Sequence, residues 1–98
     1  MKNPISGLNK DFESRIRLGV MSVLMINDDI NFSTLKELLD TTDGNLSSHI
    51  TALEKKEYLS VNKSFKGKKP QTTYTITKLG ISAFKAHLQA LENIVNNK

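Results

Sequence analysis

The amino-acid sequence predicts one small α+β domain, mainly α, in which three helices precede a β-hairpin and a long fourth helix follows. Three observations predict it. Apolar residues recur at steps of three and four from Ile16 to Leu53. Between Tyr58 and Ile76 the period falls to two, with a lysine-rich break in the middle. From Ile81 to Val95 apolar residues return at heptad spacing.

Residues 1–10, with Pro4 and Gly7, read as a flexible N-terminal arm. A helical pattern begins at Asp11. Ile16, Val20, Val23 and Leu24 gather on one face, and Leu18, Met21 and Met25 on the other. Asn27-Asp28-Asp29 ends this helix, and Ile30-Asn31-Phe32 leads into the next. Ser33 or Thr34 is the expected cap of a short second helix, since Thr34 and Glu37 have capping-box spacing; Leu35, Leu38 and Leu39 are its buried stripe. Thr41-Thr42-Asp43-Gly44 is a tight break rich in capping residues. A third helix follows, with Leu46, Ile50 and Leu53 inside. Two short helices joined by a polar turn make a helix-turn-helix pattern.

Beyond Lys56-Glu57, Leu59, Val61, Lys63 and Phe65 alternate with Tyr58, Ser60, Asn62 and Ser64. Lys66-Gly67-Lys68-Lys69-Pro70 breaks the run, and Thr72 to Ile76 resumes it, which gives a hairpin with a basic tip. Thr77 caps the last helix, whose stripe is Ile81, Phe84, Leu88, Leu91 and Val95, broadened by Ile94. The divisions expected are residues 1–10 as arm, 11–76 as the domain of three helices and hairpin, and 77–98 as a last helix packed on that same domain.

Composition narrows the function. The 98 residues include no cysteine, which excludes a disulfide framework and thiolate metal ligands. No apolar run approaches the ~20 residues needed to span a bilayer, and the N-terminus lacks a signal-peptide core. A cytoplasmic protein without membrane contact is expected. The net charge of +4 is unevenly placed. From Lys55 to Lys78 there are seven lysines against one acid, Glu57; the rest of the chain carries seven basic and nine acidic groups. Such a block suits a polyanion. Catalysis finds no support: there is no glycine-rich phosphate loop, no nucleophile beside a base, and no carboxylate pair beyond the turn residues Asp28 and Asp29. No enzyme activity and no cofactor are expected. His49 and His87 are far apart, neither shares a ligand spacing with a carboxylate, and His49 reads as a packed or hydrogen-bonded residue, so no metal site is expected.

The order of three helices, hairpin and helix, with basic residues at the hairpin tip, is that of a winged helix-turn-helix. The third helix, Asp43-Gly44-Asn45-Leu46-Ser47-Ser48-His49-Ile50 followed by Leu53-Glu54-Lys55-Lys56-Glu57-Tyr58-Leu59, resembles those of the MarR and ArsR families of bacterial repressors. The wing stretch Lys66 to Tyr74 matches as well, with lysine where arginine is frequent. Glu57 departs from the pattern, standing where glycine is usual, so the end of that helix is expected to be shaped differently. The resemblance covers about residues 11–96. It implies sequence-specific binding to double-stranded DNA, control of transcription, and a homodimer on a two-fold site.

With Leu46, Ile50 and Leu53 inside, Gly44, Ser48, Thr51 and Lys55 fall on the opposite face of the third helix, flanked by Asn45 and Ser47. Asn45 suits an adenine edge, Ser48 and Thr51 suit bases or phosphates, and Ser47 suits a phosphate. Thr42 and Asp43 read as caps. On the wing, Lys63, Lys66, Lys68 and Lys69 are expected along the backbone or in the minor groove. Arg15 and Arg17 could meet phosphate, although Asp11 and Arg15 also have the spacing of a surface ion pair. The dimer interface expected is Leu18, Met21, Met25, Ile81, Phe84, Leu88, Leu91 and Val95. The alternative is a winged helix that binds a protein partner and no DNA; the unopposed polar face of the third helix and the lysines at the wing argue against it. A small-molecule effector is left undefined; one would have to sit between the first and last helices, where Met21, Met25 and Phe84 could line a cleft, but these residues read first as dimer core.

Overall fold

The computed structural model describes residues 3–96, and over that span the chain is a winged helix of four helices and a three-stranded antiparallel sheet. Helix α1 (Arg15–Ile26) is followed by a two-residue strand β1 (Ile30–Asn31), then α2 (Phe32–Leu39) and α3 (Asp43–Lys55). Strands β2 (Leu59–Lys66) and β3 (Lys69–Ile76) form the wing, and α4 (Lys78–Val95) follows. The sheet order is β1-β3-β2. Strand β1 is absent from the sequence expectation because two residues show no period; it forms by pairing Ile30 with Tyr74 and Asn31 with Thr73.

Each helix starts on a side-chain cap that satisfies an orphan N–H. Thr42 Oγ1 accepts from Asn45 N–H (3.2 Å), and Thr77 Oγ1 from Gly80 N–H (2.9 Å), as expected. Two other starts are corrected. Helix α1 begins at Arg15 rather than Asp11, because Ser14 caps it through Arg17 N–H, and Lys10–Phe12 forms a separate 3-10 turn capped by Asn9. Asp11 and Arg15 therefore do not share a helix face; Asp11 accepts from Tyr58 Oη (2.9 Å) and stands 3.9 Å from Lys56 Nζ. Helix α2 is capped by Asn31, not Ser33 or Thr34, since Asn31 Oδ1 takes Thr34 N–H at 2.8 Å and leaves Thr34 inside the first turn.

The core joins Val20, Met21 and Leu24 of α1 to Leu35, to Leu46, Ile50 and Leu53 of α3, to Leu59 and Tyr74 of the sheet, and to Phe84 of α4. Phe12 completes it from the 3-10 turn, its ring 4.9 Å from Tyr58, 5.4 Å from Phe84 and 5.5 Å from His87. The segment before it is anchored too: Asn9 N–H donates to Nδ1 of buried His87 at 3.0 Å. Met1 and Lys2 of the expected arm, and Asn97 and Lys98 of the last segment, lie outside the described residues.

Two glycines fix the wing and its exit. Gly67, at φ +67°, opens the two-residue turn between Lys66 and Lys69, a site where glycine avoids a Cβ clash. At Gly80 a Cβ would collide with the carbonyl of Tyr58, so α4 can start against the α3–β2 junction only without one.

Candidate nucleic-acid interface

Helix α3 is held by both of its ends. Thr42 caps its start, and Asp43 in its first turn pairs with Lys36 of α2 at 2.9 Å. At its C-terminus Glu57 takes the left-handed conformation, φ +62°, and donates its N–H to Glu54 O (2.8 Å) while Thr77 Oγ1 donates to Glu57 O (2.6 Å). The turn that glycine usually makes is thus built with glutamate, and the helix end keeps the left-handed close.

With Leu46 and Leu53 fully buried and Ile50 nearly so, the opposite face of α3 is free. Gly44, Asn45, Ser47, Ser48, Thr51 and Lys55 are all exposed. At Gly44 an added Cβ would meet nothing within 4 Å, so the fold itself does not require glycine there. His49, at the edge of this face, is half-buried and accepts a hydrogen bond from Arg17 Nε at Nδ1 (3.0 Å). Burial first, and the Arg17 charge second, push His49 below its ordinary pKa, so it is a neutral hydrogen-bond acceptor here. Arg17 also donates to Asp11 O (3.4 Å), which commits it to structure.

Helix and wing meet in a cleft of about 530 Å³. Ser47 and Thr51 line it from α3, and Lys63 from β2, so three of the expected residues come together. Glu54, Thr72 and Tyr74 line it as well and are not singled out by the sequence; the register Lys63↔Thr72 and Val61↔Tyr74 is the signal that could have found two of them. Burial, and then the Glu54 carboxylate, raise the Tyr74 phenol above its usual pKa, which keeps it protonated. Lys66, Lys68 and Lys69 sit beyond the cleft at the exposed turn, and none of them makes an ion pair among the described residues.

The residues expected at a dimer interface divide. Met21 and Phe84, 0% and 1% exposed, are consumed by the chain's own core, so neither has surface left for a partner or an effector. The two-faced look of α1 arises because Met21 lies beside Val20 and Leu24 in one broad buried stripe. Leu18 faces a groove between α1 and α2 with Leu38 and Leu39. Leu88, Leu91, Ile94 and Val95 are exposed, although Ala90 between them is half-buried beside Gly7 of the N-terminal segment.

Residues 16–95 match the family model of the winged helix DNA-binding domain. An uncharacterised protein of Methanocaldococcus jannaschii is 32% identical over 88 residues, covering 90% of this chain and 96% of that protein. A transcriptional regulator homologue from Pyrococcus horikoshii is 31% identical with a TM-score of 0.82, over 88% of this chain and 85% of that one. A protein described as a MarR-like transcription regulator of Bacillus cereus shares the fold at 21% identity and a TM-score of 0.72, over 95% of this chain and 69% of its own.

Proposed function

The chain belongs to the winged helix DNA-binding domain family, and from that premise we propose that it is a sequence-specific regulator of transcription that binds double-stranded DNA as a homodimer. This is a family of DNA-binding regulators, not of enzymes. Helix α3 enters the major groove with its N-terminal residues toward the base edges, and the wing lies on the neighbouring backbone or in the minor groove. One observation carries the reading. Gly44, Asn45, Ser48, Thr51 and Lys55 form an exposed row on α3, and the hairpin beside it has four lysines and no acid from Tyr58 to Thr77. The acid of the first turn, Asp43, is drawn back toward Lys36.

Asn45 and Ser48 supply the base contacts in this reading, Ser47 and Lys55 reach phosphates, and Lys63, Lys66, Lys68 and Lys69 supply affinity that depends on salt. No helix among the described residues is long and apolar enough to cross a membrane. The exposed stripe Leu88, Leu91, Ile94 and Val95 of α4 joins two copies, which places two α3 helices on a two-fold site. Selection of bound sequences from random duplex DNA tests the reading. A single enriched, two-fold-related motif is the expected result; no enrichment and no duplex retained at low salt would overturn it.

A further inference from the structure

The wing carries a large apolar side chain where the protein has no use for one. Phe65 is 74% exposed, one residue before the Lys66 that opens the turn, and its cross-strand partner is Pro70. Along β2 every second residue points to one face. Phe65↔Pro70 therefore lies in the same row as Lys63↔Thr72, Val61↔Tyr74 and Leu59↔Ile76. The inner part of that row enters the core through Leu59 and Tyr74, and its middle lines the cleft opposite Ser47 and Thr51 of α3. The Phe65–Pro70 pair is the outward continuation of the row, on the side of the hairpin that looks toward α3. The other face of the tip carries Lys66 directly across from Lys69, a like-charge pair that is unfavourable until an anion arrives.

We propose that Phe65 and Pro70 form an apolar pad that packs into the minor groove of a duplex seated on α3, against sugar edges and the exposed base step, while the surrounding lysines hold the two phosphate walls. The proposal rests on the reading of this chain as a duplex-binding protein. Charge selects the occupant. Lys63 shares the pad's face, Lys68 stands in the turn, and Lys66 and Lys69 flank it from the opposite face. An apolar protein surface set against the pad would bury the unpaired Lys63 ammonium and leave the other charges along its edge unanswered. A nucleic-acid groove offers sugar and base surface between two rows of phosphate, and phenylalanine and proline are side chains that enter such grooves.

Binding of a labelled random-sequence duplex by the full chain tests this, because a minor-groove pad needs no particular sequence. Phe65→Ala should weaken binding about tenfold. The loss should be equal at low and high salt, with the salt slope unchanged, because no counterion is released by this pad. Phe65→Leu should keep most of the affinity, and the melting temperature of both variants should match that of the unmutated chain. The sequence has no tryptophan, so Phe65→Trp installs one indole whose emission should change when duplex is added. Unchanged affinity of Phe65→Ala, with an emission of Phe65→Trp that ignores bound duplex, would overturn the pad while the DNA reading stands. Unchanged affinity together with altered sedimentation of Phe65→Ala would assign Phe65 to a protein interface and overturn it as well. Failure of the unmutated chain to retain any duplex would remove both readings at once.

Discussion

Arg17 Nε donates to His49 Nδ1 at 3.0 Å, and this bond ties α1 to the edge of the exposed face of α3. It needs a neutral imidazole, and burial and the Arg17 charge both hold His49 below its ordinary value of 6.5. The unfolded chain therefore takes up this proton at higher pH than the folded one. Folding stability from His49 is fully present above the ordinary value and is lost as pH falls toward the depressed native value. His49→Gln keeps an acceptor for Arg17 and removes the titration. Melting temperatures at about pH 8 and about pH 5 should differ less for this variant than for the unmutated chain; equal differences would show that His49 does not carry the dependence.

Glu57 sits at φ +62° with its side chain exposed, a conformation that costs a residue bearing a Cβ about 1–2 kcal/mol. Glycine removes that strain and loses part of the gain to its own chain entropy. Glu57→Gly should stabilise the protein by about 0.5–1 kcal/mol, which is a few degrees in melting temperature for a domain of this size. Calorimetry that finds no rise would mean that the interactions of Glu57 compensate for its backbone.

The contrast between Glu57 and Phe12 shows what the sequence could and could not disclose. The resemblance marks position 57 as one that prefers glycine, and the structure keeps the left-handed turn there. Helices α3 and α4 are legible because period and caps agree. Helix α1, which starts only behind its Ser14 cap, and the hairpin are legible because their periods hold over eight residues or more. Phe12 is not, since a three-residue 3-10 turn has no period, although it stands at the centre of the aromatic cluster. Met21 departs from its expected place at an interface for a related reason: spacing gives a direction around α1 but not how much of its circumference the neighbours cover. The outward row of α3 follows directly from Leu46, Ile50 and Leu53. The cleft with Thr72 and Tyr74 requires the strand register, which period alone leaves open.

Gly44 and Asn45 provide a test of the major-groove reading. Nothing in the fold fills the space beside Gly44, so Gly44→Ala should leave the melting temperature unchanged or raise it. It should nonetheless weaken binding to the selected site. Asn45→Ala and Ser48→Ala should each cost about 1–3 kcal/mol on that site and little on random duplex. Equal losses on both, measured by titration of labelled DNA, would assign these side chains to phosphates.

The wing lysines should behave differently. Replacing Lys66, Lys68 and Lys69 by alanine should weaken specific and random binding together. The slope of log affinity against log salt should become shallower by about 0.9 for each phosphate that a lysine no longer neutralises. An unchanged slope would place the wing clear of the DNA.

The last helix is the test of the assembly. Helix α4 buries Gly80, Phe84 and His87 against its own domain and then runs on, with Leu88, Leu91, Ile94 and Val95 exposed by 40%, 36%, 38% and 82%. These side chains continue the heptad that begins inside the core, and they stay exposed although Ala90 in the same half of the helix packs beside Gly7. A contiguous apolar stripe of this kind is what soluble monomers avoid. Covering the part of each leucine that is still exposed contributes under half of the roughly 1.5–3 kcal/mol of full burial, so the dimer draws on the whole stripe from both copies, Val95 included, to hold at micromolar concentration. The core does not depend on them, since Phe84 and His87 supply the packing of α4 on its domain. Leu88→Glu with Leu91→Glu should therefore give a folded monomer, with an unchanged circular dichroism spectrum, that binds half of the selected site weakly. Sedimentation of the unmutated chain as a monomer at high micromolar concentration would refute the homodimer and leave α4 exposed for another partner.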